Sequence, residues 1–217
     1  MSTITAIEVQ KKRGNRRSIF VDGEFIAGVH EEVVFVLGLS VGQTFDKERL
    51  VDLLKAETKR KARESAIRLI SYRDRSKSEM RRRLIRDEYP EDIVDEVIEQ
   101  LTNSGLLDDE KFSRDWVKAR TASKPMGKTR LAWELRSKGV ETPLVEEALE
   151  GLDEDTEYEL AYSVVAGKLA KINKDDPALR NKLGSLLRRR GFTWGTITRV
   201  IDALCGDARP ATDLLDE

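Results

Sequence analysis

The sequence predicts a mainly α-helical protein: three tandem three-helix repeats form an elongated curved array, preceded by a small N-terminal antiparallel β extension. Three observations support this fold class. The apolar positions of residues 76–107 recur after a shift of 51 residues and again after a further 52. Residues 4–29 alternate in a strand-like way, and basic and acidic blocks alternate along the rest of the chain. A period near 50 residues is typical of helical arrays in which no unit buries its apolar face alone.

The repeat rests on matched apolar positions. The first repeat aligns with the second through Met80 and Leu131, Leu84 and Leu135, Tyr89 and Val140, Ile93 and Leu144, Val97 and Ala148, and Leu101 and Leu152. The second repeat aligns with the third after a shift of 52 residues. The aligned pairs are Leu131 and Leu183, Leu135 and Leu187, Val140 and Phe192, Val145 and Ile197, Ala148 and Val200, Leu149 and Ile201, and Leu152 and Leu204. Each unit is therefore expected to share its core with its neighbours.

The first segment has the pattern of three short strands, at residues 4–9, 18–21 and 25–27, with many β-branched residues. Residues 11–17 are predicted to be a basic loop between the first two strands. Asp22 and Gly23 supply the positive φ angles of a tight hairpin turn. Three such strands are marginal alone, so they are expected to pack on the next element.

Two helices are predicted between the strands and the repeats. A short helix over residues 32–37 ends at Gly38, and His30 is interpreted as a structural residue at its start. Asp46 can cap a second helix that begins at Lys47. The apolar residues of this second helix that share one face are Leu50, Leu53 and Leu54.

The first repeat begins near Lys59 and is predicted to contain helices A, B and C. Ser76 and Glu79 have the spacing of a capping box at the start of helix B. Pro90 opens helix C, since proline is tolerated in the first turn, and Gly105 closes it.

The other two repeats carry the same signals. Asp108 can cap helix A of the second repeat, Gly139 ends its helix B, and Pro143 opens its helix C. Gly191 and Thr193 repeat these signals in the third unit, after a longer A–B connection around residues 173–177.

We expect five segments. They are the β extension with short helices at 1–57, repeat one at 58–107, repeat two at 108–152, repeat three at 153–207, and a disordered acidic C-terminal tail at 208–217.

The charged fraction is 36%, but the net charge is only −1, so the placement of the charges carries the information. Cys205 is the single cysteine, which suits a reducing compartment. Without an apolar run of membrane-spanning length or a signal peptide, we expect a cytoplasmic protein with no membrane partner.

Charge is segregated by repeat. The net charge is +9 over residues 59–86 and −9 over 87–117, then +6 over 118–138, −9 over 139–167 and +6 over 168–190. Helices A and B of each unit are therefore basic, and helix C with its following loop is acidic. One edge of the array should attract phosphate or an acidic protein.

Basic residues of helices A and B are the candidate contacts to DNA or to a protein filament. A single arginine is equally consistent with a solvated, ion-paired residue, but the cluster as a whole favours binding because a track of cations displaces counterions from a polyanion. The candidate cations are Arg73, Arg75, Lys77, Arg81, Arg82, Arg83, Arg86, Arg120, Lys124, Lys128, Arg130, Arg136, Lys138, Arg188, Arg189 and Arg190.

Trp133 completes the candidate set. It lies about 200° from Leu131 around helix B, away from the apolar stripe. Its repeat equivalents, Arg82 and Ser185, are polar, so we expect partial exposure. Packing between adjacent repeats and contact with a partner remain equally open. Trp116 falls on the apolar face of its helix and is predicted to be a core residue.

The sequence contains no pattern typical of catalysis. It has no glycine-rich phosphate loop and no cysteine or histidine pair at metal-ligand spacing. Paired acids such as Asp108 and Asp109 are explained by helix capping. We therefore expect neither an enzyme nor a cofactor.

Three segments resemble the RecX family of bacterial recombinase regulators. They are residues 70–76 (ISYRDRS), 105–112 (GLLDDEKF) and 127–140, which includes GKTR and ELRSKGV. The resemblance covers roughly residues 59–207, and the β extension is similar to that of the longer members. It implies three tandem three-helix repeats and a protein that binds the RecA filament on DNA, usually inhibiting strand exchange and coprotease activity. Glu88 departs from the pattern, since glycine ends helix B in the other units.

Two functions of different class follow. The first is a regulator that docks on the RecA–DNA filament in DNA repair and the SOS response. It would also contact single- or double-stranded DNA weakly and without sequence preference. The second is a stand-alone nucleic-acid-binding helical-repeat protein. The near-zero net charge argues against the second, because dedicated DNA binders are usually basic overall.

Overall fold

The structure is a computed structural model that describes residues 1–11, 13–169 and 177–205. The tail predicted at 208–217 and most of the connection predicted around 173–177 lie outside these residues. A four-stranded antiparallel sheet is followed by helices that build three three-helix repeats. The predicted class, mainly α-helical with three three-helix repeats and a small N-terminal antiparallel sheet, is confirmed.

The sheet consists of β1 (Ser2–Gln10), β2 (Arg13–Val21), β3 (Glu24–His30) and β4 (Thr44–Phe45), in the order β3-β2-β1-β4. The prediction of a basic loop over 11–17 is wrong from Arg13 onward, because residues 13–17 belong to β2, where Arg16 and Arg17 pair with His30 and Val29 of β3. Cross-strand pairing overrides the lack of apolar alternation there. The hairpin turn is confirmed, with φ of 52° at Asp22 and 83° at Gly23.

Two helices follow the sheet, α1 (Glu31–Val36) and α2 (Lys47–Tyr72). His30 caps α1, since its Nδ1 accepts a hydrogen bond from Glu32 N at 3.4 Å. Asp46 caps α2 as predicted. The helix predicted from Lys47 and helix A of repeat one form a single helix of 26 residues, because no glycine or proline interrupts residues 47–72. Sheet and helices share a core of Ile4, Ile19, Val21, Val29, Val33, Leu50 and Leu54.

The helix boundaries of the repeats agree with the predicted aspartate, proline and glycine signals, and the Ser76 hydroxyl, predicted to cap helix B of repeat one, donates a hydrogen bond to Lys138 O. Repeat one adds α3 (Lys77–Arg86) and α4 (Glu91–Asn103), repeat two contains α5 (Asp109–Ser123), α6 (Lys128–Ser137) and α7 (Thr142–Glu150), and repeat three contains α8 (Glu154–Leu169), α9 (Leu179–Arg189) and α10 (Trp194–Cys205). The glycines predicted to end helices, Gly38, Gly105, Gly139 and Gly191, all have positive φ. Each repeat has its own buried apolar cluster.

The chain divides into two compact units. Unit one contains Met1–Arg75 and Glu79–Leu107, so it joins the sheet to repeat one. Within it, the Arg16 guanidinium donates to the carbonyl oxygens of Glu88 and Gly28. Glu88 has a φ of 69°, so it adopts the left-handed conformation that glycine adopts at the end of the other B helices. In unit one, therefore, a strand of the β extension binds the backbone at the end of α3.

Unit two contains Ser76–Ser78 and Asp108–Glu217, and it joins repeats two and three. Main-chain hydrogen bonds connect them, from Gly127 N to Arg190 O at 3.0 Å and from Thr129 N to Gly191 O at 3.1 Å. A Cβ atom at Gly127 would lie 2.2 Å from Gly191 O. Leu160 packs against the cores of both repeats. The two repeats therefore share a close backbone joint and part of their apolar interior.

A buried carboxylate completes this joint. Glu157 of α8 is only 2% exposed. It accepts hydrogen bonds from Lys128 N at 2.9 Å, Thr193 Oγ1 at 2.7 Å and Thr196 Oγ1 at 2.9 Å. One side chain of repeat three thus satisfies donors at the start of α6 and of α10.

Candidate binding surface

The acidic C helices neutralise many of the basic residues within their own repeat. Lys59 contacts Glu96 at 2.6 Å, and Arg114 contacts Glu147 at 3.8 Å. The alternating charge blocks of the sequence are therefore partly an internal pattern of ion pairs. The candidate contacts to a partner are the cations that remain exposed outside these pairs.

Arg81 and Arg83, in the densest basic cluster of the sequence, belong to the internal pattern. Arg81 contacts Asp95 at 2.7 Å and Glu91 at 2.9 Å. The hydrogen bond from Arg81 lowers the pKa of Asp95, which keeps this pair ionised. Arg83 contacts Asp87 at 2.9 Å. Arg81 thus connects α3 to α4, whereas Arg83 pairs with an acid four residues further along the chain.

The other candidates near α3 divide between internal and exposed positions. Arg73 pairs with Glu79 at 3.1 Å, and Arg75 donates from Nε to Leu69 O at 3.3 Å. Burial lowers the pKa of Arg75. Arg82 and Arg86 are exposed, on the side of α3 opposite its buried residues. In unit two, the half-buried Lys77 donates its backbone N–H to Asp109 Oδ1 at 2.8 Å.

Repeat two is organised around Glu134, a residue that the sequence analysis missed. Glu134 is 9% exposed and lies on α6. Its Oε2 accepts hydrogen bonds from Trp116 Nε1 at 3.1 Å and from Arg120 Nε at 2.9 Å, both on α5. A signal was available, because Glu134 is the single acid in the basic block 118–138. A lone carboxylate in such a block indicates an internal partner for the cations.

Two cations and one aromatic ring pack on the side chain of Trp116. Arg120 Cζ lies 4.5 Å from its ring centroid and Lys138 Nζ lies 4.0 Å from it. Phe112 stacks on the same ring, with 5.9 Å between centroids. Trp116, predicted to be a core residue, is half-buried and packs at the edge of the repeat-two core. Arg120 and Lys138 therefore contribute to the packing of α5 on α6.

Trp133 lies on the outer face of α6 and is 56% exposed, which confirms the prediction of partial exposure. The Arg130 guanidinium stacks on it, with Cζ 4.4 Å from the ring centroid. Arg136 and Lys124 are exposed nearby in sequence, and Lys128 is half-buried at the start of α6.

Repeat three contributes the last three candidates. Arg190 is half-buried and donates from its guanidinium to Pro125 O at 3.0 Å, so it belongs to the joint with repeat two. Arg188 and Arg189 are exposed at the end of α9. A cleft of about 430 Å³ beside Arg189 is lined by Lys168, Asn181, Lys182, Leu183, Ser185 and Leu186. Among the described residues, this cleft has three cations and no carboxylate in its lining.

Some of the predicted cations are exposed and form no ion pair within the part of the chain that the structure describes. They are Arg86 in unit one, and Lys124, Arg136, Arg188 and Arg189 in unit two.

Over residues 1–11, 13–169 and 177–205, no group of three or more histidine, cysteine, aspartate or glutamate side chains has the arrangement of a metal site. None of the described helices combines the length and apolar character needed to cross a bilayer.

Comparison with protein families gives four matches. The model described as "Regulatory protein RecX N-terminal domain" matches residues 2–46. The models described as "RecX, first three-helix domain", "RecX, second three-helix domain" and "RecX, third three-helix domain" match residues 62–101, 108–149 and 155–201. These matches cover the sheet and all three repeats.

Individual proteins agree with the family matches. The chain is 30% identical to "Regulatory protein RecX" of Clostridioides difficile over 205 residues, which cover 94% of this chain and 96% of that protein. It is 37% identical to the protein of the same name from Mycobacterium marinum over 144 residues, or 65% of this chain and 83% of that protein.

Solved structures show the same fold. "Crystal structure of regulatory protein RecX" has a TM-score of 0.65 and 23% identity, and covers 93% of this chain and 100% of that one. "Crystal structure of RecX from Lactobacillus salivarius" has a TM-score of 0.61 and 22% identity, and covers 69% of this chain and 97% of that one. With the family matches along its length and a relative 30% identical over nearly all of both chains, this chain belongs to the RecX family of regulatory proteins.

Proposed function

We propose that the protein binds the filament that the RecA recombinase forms on DNA, and that it inhibits the filament in DNA repair and the SOS response. Family membership supports this proposal through the resemblance to recombinase regulators. Nothing in the described surface suggests chemistry of its own, so we propose a binding protein and not an enzyme. RecA and DNA meet in the cytoplasm, where the protein would act.

The observation that carries the proposal is the set of exposed cations outside the internal ion pairs. Surface ion pairs are weak, about 0–1 kcal/mol, but a cation held by two carboxylates, as Arg81 is, presents little net charge to a partner. Arg136, Arg188 and Arg189 have no such partner among the described residues. They are therefore the cations that can neutralise DNA phosphates or acidic groups of the filament.

Repeat two offers a further positive surface, on α6. On α6, Arg136 and Trp133 are exposed, while the helix's acid, Glu134, is buried. The outer face of α6 is thus positive and carries an aromatic side chain. Tryptophan and arginine are the residue types most often found at the energetic centre of interfaces.

The experiment compares two double charge reversals that change net charge equally. We expect R188E/R189E to lose most inhibition of RecA ATPase and strand exchange. We expect K47E/R49E, at the start of α2 in unit one, to inhibit like the wild type. Acids are favourable in the first turn of a helix, and the ion pair between Lys47 and Glu24 that the control loses is exposed and weak, so the control should fold. Circular dichroism checks both variants.

Salt dependence and the DNA substrate complete the test. Wild-type affinity for the filament should fall as salt rises, and R188E/R189E should show a shallower slope because fewer phosphates are neutralised. Affinity is measured for RecA-coated and for bare single-stranded DNA. Equal affinity for both substrates would contradict filament binding and favour a stand-alone nucleic-acid-binding protein. A folded R188E/R189E with wild-type potency would remove these arginines from the interface.

A further inference from the structure

Trp133 carries an inference that deepens the proposed function and rests on it. Its side chain is 56% exposed, whereas the buried residues of the same helix are Leu131, Glu134 and Leu135. Trp133 is not among the residues that pack on the core of its repeat, whereas Trp116 is. A large aromatic side chain left in water forgoes the stabilisation that burial would give it. The fold of repeat two therefore does not account for a tryptophan at this position.

The ring is nevertheless held in place. The Arg130 guanidinium stacks on it at 4.4 Å, and Arg130 Nε lies 3.6 Å from Glu134 Oε1. Glu134 is itself fixed by its hydrogen bonds from Trp116 and Arg120. A chain of contacts thus orients the exposed ring from the interior of the repeat. The guanidinium covers one face of the ring, and more than half of the side chain remains exposed to a partner.

The charge around the ring suits a polyanion. Arg130 and Arg136 are exposed on the same helix, and its carboxylate, Glu134, is buried. Aromatic side chains in a positive groove are the usual platform for single-stranded nucleic acid, because every base has a π-face and stacking needs no particular sequence. Bases inside a duplex stack on one another and offer no free face.

We propose that Trp133 stacks on an unpaired nucleotide base, so that the outer face of α6 prefers single-stranded to double-stranded nucleic acid. Arg130 holds the ring from behind, and Arg136 binds a neighbouring phosphate. Trp133 is then a specificity-determining residue, and the surrounding cations supply affinity that does not depend on the bases.

The test uses the full chain and an oligothymidylate of about 15 nucleotides, with an abasic oligonucleotide of equal length as the comparison. Both have the same phosphates, and only the first has bases. A stacked base contributes about 1–3 kcal/mol, so the wild type should bind oligothymidylate about tenfold more tightly than the abasic strand. W133A should bind both strands equally, at the abasic level, and W133F should keep most of the difference.

Trp194 provides the matched control. It is 47% exposed, in the first turn of α10, so W194A removes a similar exposed ring from the same unit. We expect W194A to keep the tenfold preference. Fluorescence anisotropy of labelled strands measures the affinities, and circular dichroism confirms that each variant is folded.

Two outcomes would overturn the stacking role. One is a wild type that binds both strands equally, and the other is a W133A that weakens binding to both strands by the same factor. If W133A loses RecA inhibition but still binds oligothymidylate more tightly than the abasic strand, Trp133 contacts the recombinase protein instead. Inhibition of RecA by the wild type, measured in parallel, tests the proposed function separately, because it does not depend on the comparison of the two strands.

Discussion

The Glu134 carboxylate determines how α5 and α6 are held together. We expect E134A to lower the free energy of unfolding by about 2–3 kcal/mol, because it leaves the Trp116 indole N–H and the Arg120 guanidinium without their acceptor. The control is E147A, whose carboxylate is 51% exposed and 3.8 Å from Arg114. Its expected effect is within about 0.5 kcal/mol. Urea denaturation measures both, and similar losses would show that Glu134 is not a structural centre.

At individual residues, the sequence identified exposure better than it identified partners. The outward position of Trp133 followed from its angle on the helix, and its polar repeat equivalents supported it. The internal use of Arg81 did not follow, because its acidic partners depend on which faces of α3 and α4 meet, whereas Arg83 pairs with Asp87 only four residues along the chain. Glu134 was missed for the same reason. Its burial results from tertiary packing, and the sequence marked it only as the single acid of a basic block.

At the scale of elements, glycines have two separable roles in the joints of this chain. Gly105 has a φ of 70°, and a Cβ atom added there would have no neighbouring atom within 4 Å, so only its backbone conformation requires glycine. Gly127 has an ordinary φ of −79°, but a Cβ there would lie 2.2 Å from Gly191 O. Backbone atoms of the facing repeat cannot move aside like a flexible side chain, so Gly127 is required by packing.

We therefore expect unequal losses from two alanine substitutions. G105A should cost about 1 kcal/mol, the penalty of a left-handed conformation for an L-residue. G127A should cost about 3 kcal/mol, because the joint between α6 and the end of α9 must open. Urea midpoints give the comparison. Equal losses, or a larger loss in G105A, would contradict the close backbone approach between repeats two and three.

Helix boundaries were predictable because they depend on local chemistry. Asp46 and Asp108 cap helices where the sequence indicated, and the glycines end them. The sheet was less predictable. The strand β4 has only two residues, Thr44 and Phe45, and is defined by its pairing with β1. Residues 13–17 are mostly charged and carry no alternation, so only pairing with neighbouring strands makes them part of β2.

At the scale of the whole molecule, repeats two and three should depend on each other. A chain ending at Leu152 lacks Glu157, which accepts from Lys128 N, and lacks the carbonyl groups of Arg190 and Gly191. It also lacks Leu160, which packs on the core of repeat two. We expect repeat two to melt at a lower temperature in this chain than in the full protein.

Tryptophan fluorescence follows that melting in the shortened chain, since its tryptophans, Trp116 and Trp133, both lie in repeat two, and the full protein is compared as W194A, which lacks the tryptophan of repeat three. Unit one has its own cores, so its thermal unfolding transition should be unchanged in the shortened chain. Circular dichroism reports this transition, which serves as the internal control. An unchanged melting temperature for the tryptophan signal would show that repeat two is stable without its neighbour.

The contact between Arg16 and Glu88 bears on which repeat of this chain could be duplicated. A second copy of repeat two would carry its own Gly127 and Gly139, the residues that a close backbone joint requires. A second copy of repeat one would carry Glu88, whose carbonyl is bound by Arg16 in the parent chain and which has a side chain where the other units have glycine. We therefore expect an added unit to be accommodated after the first repeat and not before it. On this argument, a chain with more repeats would carry the added ones on the C-terminal side of the first repeat.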